Sequence, residues 1–332
     1  MNASAAYPIY TAEAVASDGT KYELKQGTLN LSIEENAGGL AEKVTISLAN
    51  VKLGDKLLSS LLTLKMRLFV YANDGSKNKE VFRGIIWDKA SSIGTEKEMK
   101  IVAYTNLIYL QKSKDCMYFT AGKYTDAIVK AICNKWGIEV SYDFDTIKHP
   151  KMPLNNKYIA DMIIEPLNAV KKQKGTKYKI RSEQDKMQIG KAGTNTEIYT
   201  FQKNGNILST KSEESLDGIV TRVAIYGNED DEERRTIAAT VDGDTAKYGT
   251  LQDVVLMSGD STLADAKAEA KGILEEKGKP KPKHNVELPD VPWVHKGDCI
   301  YIYALDLSGL FLVNSVTHEA KTKTMSVEVE KA

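Results

Sequence analysis

The residues best suited to ligate a metal or attack a carbonyl are four histidines, His149, His284, His295 and His318, and three cysteines, Cys116, Cys133 and Cys299. They stand apart from one another. No HExxH, CxxC or mixed His-Cys spacing joins them, so the chain is read as holding no metal centre, with each histidine structural or exposed. Nucleophilic and phosphate-binding motifs are missing as well. There is no GxSxG elbow, and Gly190-Lys191-Ala192-Gly193 has the glycines of a phosphate loop without the GK[ST] that must follow, so it reads as a turn. Asp242-Gly243-Asp244 and the acidic run 229–233 offer clustered oxygens for a hard cation but lack the EF-hand order, and read as solvated loops. The acid pairs Glu34-Glu35 and Glu213-Glu214 invite comparison with glycosidases, yet such chemistry needs carboxylates about 5–10 Å apart across a cleft, which adjacency does not supply. The basic run 171–179, with Tyr178 as a stacking ring, would neutralise only a few phosphates and reads better as a solvated helix end. No catalytic residue and no cofactor is assigned.

Composition narrows the class further. The 332 residues are 42% hydrophobic and 27% charged, and 45 basic side chains balance 45 acidic ones. That is the composition of a globular protein of two or three domains. It gives no global field toward nucleic acid or an anionic membrane, so no specific nucleic-acid recognition is expected. Arginine is confined to Arg67, Arg83, Arg181, Arg222, Arg234 and Arg235, so planar forks for phosphate are scarce. An odd cysteine count leaves at least one thiol free and fits folding in a reducing cytoplasm. The first residues lack the basic and apolar regions of a signal peptide, and no apolar run approaches the roughly 20 residues a membrane helix needs.

The elements that must carry the function are mostly strands. Residues 30–34, 44–48 and 64–71 alternate apolar and polar side chains, Asn73-Asp74-Gly75 is a hairpin turn, and 81–87 returns. Several short strands at this spacing must close or stack to hide their edges. Residues 57–64 are ambiguous, because their leucines also suit a short helix. Texture then changes. Ile128, Val129, Ile132, Cys133 and Trp136 make a helical stripe from Thr125, with Gly137 as the left-handed stop. A second stripe, Ile159, Met162, Ile163, Leu167 and Val170, runs to Gly175, with a kink or break expected at Pro166. Residues 178–181 and 187–189 pair as a hairpin around 183–185. Strand texture resumes at 218–227, before an exposed acidic loop at 228–233. A helix capped at Asp260 or Ser261 spans about 261–277, and strands follow at 285–288, 299–303, 311–316 and 325–329. No tandem repeat of fixed period is visible. Both β-rich blocks nonetheless end in a hairpin whose second strand alternates, which suits two distant copies of one unit.

Three stretches carry a resemblance. Tyr104, Leu107, Tyr109, Leu110, Ser113, Lys114 and Asp115 form the first word, between a strand end and a capped helix. Tyr248, Gly249, Leu251 and Gln252 form the second. Lys296-Gly297-Asp298, then Gly309, Phe311 and Thr317-His318, form the third, with Gly297 and Gly309 read as turn residues and Phe311 as packing. In this order they resemble the XkdQ/YqbQ-like hub proteins of contractile phage tails and phage-like particles, over about two thirds of the chain.

The resemblance implies a mainly β fold with an α+β insertion: two tube-protein-like antiparallel β-barrel domains plus a small α+β domain. On that reading residues 1–108 are the first barrel, completed by strands in 201–228, residues 109–200 the insertion, and residues 229–332 the second barrel with the helix at 261–277. It implies a structural hub, not an enzyme, that adapts a sixfold tail tube to a threefold spike. The expected partners are two further copies of itself in a homotrimer, the tail tube protein, a LysM-bearing tail protein, and the central spike and other baseplate proteins. The chain would be made in the host cytoplasm and assembled into a virion or bacteriocin-like particle. A tail-tip peptidoglycan hydrolase and a module binding cell-wall sugar or a receptor are the alternatives.

Overall fold

The computed structural model describes residues 7–24, 28–92, 98–202, 206–227, 234–257, 262–304 and 307–332. The chain forms two compact units, one from residues 1–211 with 285–332 and one from residues 212–284.

The first unit opens with a β block: β1 (Ile9–Val15), β2 (Lys21–Glu23), β3 (Thr28–Glu35), β4 (Lys43–Ala49), β5 (Lys52–Leu53), β6 (Lys56–Leu57), the single-turn α1 (Leu58–Leu61), β7 (Arg67–Asn73), β8 (Asn78–Ser91) and β9 (Glu98–Tyr104). The two-residue periodicity directs Val44, Ile46 and Leu48 of β4, and Leu68 and Val70 of β7, into one core. Asp74 turns the β7–β8 hairpin by accepting the Ser76 and Lys77 amides at 2.9 and 2.7 Å. Gly84 is required by proximity, since a Cβ there would lie 2.2 Å from the Tyr104 carbonyl oxygen.

The insertion follows as α2 (Ile108–Lys112), β10 (Lys114–Phe119), α3 (Thr125–Lys135), β11 (Val140–Asp143), β12 (Met152–Tyr158), α4 (Ile159–Lys174), β13 (Tyr178–Glu183) and β14 (Lys186–Lys191). The expected stripes of α3 and α4 face each other across one core, with Ile128, Ile132, Ile159, Ile163 and Leu167 at 0% exposure. Gly137 and Gly175 stop the helices at φ 64° and 71°. The break expected at Pro166 does not occur. That residue is buried on the core face of a helix that continues to Lys174, so packing outweighs the lost backbone bond.

The chain then runs through β15 (Thr200–Gln202) and β16 (Ser209–Glu213). The second unit holds β17 (Arg222–Tyr226), β18 (Ile237–Asp242), α5 (Thr245–Tyr248), β19 (Gln252–Leu256) and α6 (Leu263–Lys277). Its three strands are ordered β18-β17-β19, with β17 and β19 parallel, and Ala266 and Ala270 of α6 pack with Val223, Ile225 and Val255. Thr262 and Asp265 form a reciprocal capping box at the start of α6. The cap expected at 260–261 and the acidic loop 228–233 lie outside the described residues. The chain closes in the first unit with β20 (Lys283–Pro289), β21 (Cys299–Ala304), β22 (Leu307–Glu319) and β23 (Thr324–Lys331).

The fold is mainly β with an α+β insertion, and its main sheet has a duplicated order. One thirteen-stranded sheet runs β16-β20-β23-β22-β3-β4-β9-β8-β7-β1-β2, with β21 also on β22 and β15 on β21. The path β3-β4-β9-β8-β7-β1 is matched by β16-β20-β23-β22-β21-β15, and the matching strands follow one another in the same chain order. Details repeat as well. β8 has a bulge between Ile86 and Asp88 against β9, and β22 has one between Val313 and Ser315 against β23. Met99, Ile101 and Ala103 of β9 are buried, as are Met325, Val327 and Val329 of β23. One difference is that β1 meets β7 antiparallel whereas β15 meets β21 parallel. Each copy has its own core, one around Ile46, Leu68 and Ile101, the other around Val286, Ile300 and Val327. Among the described residues the sheet does not close on itself. β22 outruns the shorter β21, and β3 takes the overhanging edge. Of the strands in 201–228 expected to complete the first block, β15 pairs with β21 and β17 with β18 and β19.

Candidate functional site

The residues singled out in sequence fall at joints between elements within one unit or the other. In the first word, Tyr104 ends β9 edge-on to Trp87, with ring centroids 6.4 Å apart. Trp87 also meets Tyr109, at 5.5 Å. Leu107 and Leu110 are buried in the insertion core, so α2 is pinned by its apolar side while Tyr109 stays at the surface. Ser113 accepts the Ile159 amide at 3.0 Å, and the Lys114 ammonium lies 4.9 Å from the Tyr158 ring centroid. Asp115 accepts from the Cys116 amide and Trp136 Nε1 and pairs with Lys135, which holds its carboxyl below the usual carboxylate range. This word therefore ties α2, α3 and α4 together.

The second word lies wholly in the second unit. Gly249 stops α5 at φ 77°, and its carbonyl accepts the Thr221 hydroxyl at 2.6 Å. The Leu251 amide donates to Thr221 Oγ1 at 2.8 Å, Gln252 stands opposite Arg222, and Lys247 lies over the Tyr248 ring.

The third word enters a charged junction that joins both β blocks to the insertion. Gly297 sits at φ 83° with its virtual Cβ only 2.5 Å from Lys179 Cβ, so glycine is the residue that lets β13 pass. Arg181 Nη2 lies 2.6 Å from Asp298 Oδ1 and donates to the Lys296 carbonyl at 3.1 Å. Asp298 Oδ2 accepts the His295 amide at 3.1 Å. Glu35, at the end of β3, is 2.6 Å from His295 Nδ1 and accepts the Lys296 amide at 3.1 Å. Lys296 Nζ in turn donates to the carbonyls of Asn36 and Gly39.

Glu42 completes this junction. Its backbone pairs with Thr105 and its carboxylate accepts the Ser182 amide at 3.4 Å. The two carboxyls are pushed apart. Burial would raise Glu35, but His295, Arg181 and Lys296 outweigh it and hold this group well below its ordinary value. At Glu42 burial dominates and the charge of Glu35 adds to it, so this carboxyl is raised. Glu42, Arg181 and His295 also line a cavity of about 860 Å³ that includes Trp293, Phe82 and Arg83.

The remaining residues lie along β22. Gly309 stands opposite Ile302 and Phe311 is buried in the second core. His318 is 2% exposed, with Nδ1 2.6 Å from Asp290 Oδ1 and Nε2 3.1 Å from the Val294 carbonyl. The Val294 carbonyl can only accept, and so does the ionised form of the Asp290 carboxyl, so this geometry favours the doubly protonated ring. Burial alone would lower its pKa, but Asp290 outweighs burial and raises it. Tyr10 of β1 donates to the other Asp290 oxygen at 2.6 Å, which ties the first block to the second.

Glu35, Glu42, Arg181 and His295 were not among the residues chosen from sequence as a group. The signals present were the Glu34-Glu35 adjacency, the scarcity of arginine and the proximity of His295 to the Lys296-Gly297-Asp298 word. Only the fold shows that they meet. Among the described residues no three His, Cys, Asp or Glu side chains are grouped to hold a metal ion. No described helix is long and apolar enough to cross a membrane.

Comparison with solved structures finds this fold in phage tail proteins. The tail protein from Neisseria meningitidis MC58 matches at TM-score 0.69 and 12% identity, with 97% of each chain covered. The 43 kDa tail protein of prophage MuSo2 from Shewanella oneidensis matches at TM-score 0.66 and 12% identity, over 98% of each chain. Prophage tail protein gp18 from Listeria monocytogenes EGD-e matches at 0.57 and 9% identity, over 96% of this chain and 94% of its own. At these identities the likeness speaks to fold alone. No curated protein matches the sequence. The model of the YQBQ-like family matches residues 41–330, a span that begins after β3 and takes in the rest of the first β block, the insertion, the second unit and nearly all of the second β block, and the chain therefore belongs to the YQBQ-like family.

Proposed function

We propose that the chain is a structural hub of a contractile phage tail or phage-like particle, in which three copies adapt a sixfold tail tube to a threefold spike. The observation that carries this reading is the duplicated strand order, β3-β4-β9-β8-β7-β1 and β16-β20-β23-β22-β21-β15, within one chain. Two like blocks per subunit give a threefold ring six near-equivalent positions, which removes the symmetry mismatch between tube and spike. Membership of the YQBQ-like family and a fold shared with phage tail proteins support the same role. The charged junction fits it too. A block that bears load must keep its angle to its neighbours, and the hydrogen bonds from the Lys296 amide to Glu35, from Arg181 to the Lys296 carbonyl and from the His295 amide to Asp298 fix that angle. The tube protein, a LysM-bearing tail protein and the spike are the partners this role requires. Coexpression of the chain with them, followed by native mass spectrometry, tests it: three copies per complex are expected, and one copy or six would refute it.

A second reading has one observation in its favour. A raised Glu42 at the wall of a large cavity, and a lowered Glu35 that does not line it, have the opposed pKa shifts that acid–base hydrolysis of a glycoside uses. Against it, both oxygens of Glu35 are already engaged, by His295 and by the Lys296 amide. Zymography on peptidoglycan with the wild type and Glu42→Gln separates the two: clearing that Glu42→Gln abolishes would favour the hydrolase.

A further inference from the structure

Within the chain, the second β block already binds the first by a simple device. β22 overhangs β21, and its last residues, Val316, Thr317, His318 and Glu319, pair with Glu35, Glu34, Ile33 and Ser32 of β3. The repeated strand order makes β8 the counterpart of β22, and β16 the counterpart of β3. β8 likewise overhangs its hairpin partner. β7 ends at Arg67 opposite Ile85, while β8 continues to Ser91. Asp88 to Ser91 have β9 on one side and, among the described residues, no strand on the other, and all four are exposed. β16 is the last strand of the sheet at the opposite end and is exposed throughout.

Resting on the hub reading above, we propose that the joint between copies repeats the joint within a copy: β16 of one chain adds antiparallel to the overhang of β8 in the next. The occupant of each edge is a second copy of this chain. A donor strand and an acceptor edge at opposite ends of one sheet make a head-to-tail contact, which generates a closed ring when the rotation per step closes.

The internal joint also sets the register. The matched bulges make Lys89 and Ala90 the counterparts of Val316 and Thr317. The Leu208 amide donates to the Glu287 carbonyl, one residue before buried Leu288. Asn30 stands opposite Ser47 in the same way, one residue before buried Leu48. Counting from there, Ser212 and Glu213 occupy the places of Glu34 and Glu35. Ala90 then faces Ser212, and Lys89, whose Nζ donates to the Ser59 and Leu62 carbonyls, falls opposite Glu213. The donor strand, Ser209-Thr210-Lys211-Ser212-Glu213, has no apolar side chain. A strand of this kind resists random edge pairing and joins only where the surrounding blocks align it.

The full-length chain carrying Ala90→Cys and Ser212→Cys, with the exposed Cys116 replaced by Ser, tests this joint at high protein concentration. Native mass spectrometry gives the copy number, and a non-reducing gel gives the linkage. The expected result is a three-copy complex with covalent dimers and trimers. Ala90→Cys with Thr210→Cys should link about tenfold less, because a two-residue offset exceeds disulfide reach. In the unmodified chain, backbone amides in 88–91 and 209–213 should exchange about tenfold more slowly on assembly. A three-copy complex with neither the Ala90–Ser212 disulfide nor that protection overturns the joint and leaves the hub reading standing. A mass of one chain at every concentration overturns both.

Discussion

Val316 and Glu35 stand opposite each other where the second β block meets the first, and Glu35 turns its carboxylate into the junction that holds His295 and Lys296. Strand pairing and charge thus converge on one residue. Residues 32–35 and 316–319 should therefore open together. Hydrogen exchange with mass readout should give both segments one protection factor, lowered together by Glu35→Ala, whereas independent exchange would show that the blocks are only tethered.

His318 and Asp290 form a buried ion pair that Tyr10 completes. Replacing one partner leaves the other charge uncompensated, so His318→Gln should cost about 3–5 kcal/mol of stability, read as a lower urea midpoint. The pH dependence has a definite sign. A histidine raised on folding contributes fully below its ordinary value of 6.5, and that contribution is lost as pH climbs through the raised value. The wild type should lose this increment on going alkaline, and His318→Gln should not.

Glu42 behaves in the opposite sense to its neighbour. Its carboxyl is raised above the ordinary 4.5, so it binds its proton more tightly when folded and the fold weakens as pH rises above that value. Glu35 is lowered, so its contribution is present above 4.5 and is lost as pH falls. Glu42→Gln, a neutral mimic of the protonated form, should leave stability unchanged near pH 4.5 and increase it near neutrality, measured as urea midpoints at both pH values.

Gly84 admits the Tyr104 carbonyl at a distance no side chain permits. Gly84→Ala must push β8 from β9, and a loss of about 1–3 kcal/mol is expected, seen as a lower thermal midpoint with earlier exchange of the β9 amides. A neutral outcome would mean that this strand pair shifts freely.

Much of this architecture was legible in the residues. The alternation of Val44-Thr45-Ile46-Ser47-Leu48 and the stripes from Thr125 and Ile159 report burial on one face, which is a local property, and β4, α3 and α4 follow them closely. At Pro166 the helix runs on where a break was one of the two expected outcomes, because burial of the ring on the core face outweighs local propensity. Strand partners were not legible, since Phe201 and Val223 look alike in sequence yet pair with different sheets. The duplication was hidden for a related reason. It survives in strand order, bulge positions and buried faces, while Gly84 and Phe82 in one block answer to Phe311 and Gly309 in the other. The junction brings Glu35, Glu42, Arg181 and Asp298 together across 264 positions, a separation over which no spacing rule operates.

The central claim is that two like β blocks in each chain let three copies stand where six tube subunits stand. Electron cryomicroscopy of the assembled tail tip, viewed along its axis, tests it most directly. The expected image is a ring of six similar β blocks built from three chains, with the blocks joined alternately inside a chain and between chains. A ring of six chains, or a lone copy beside the axis, would contradict it.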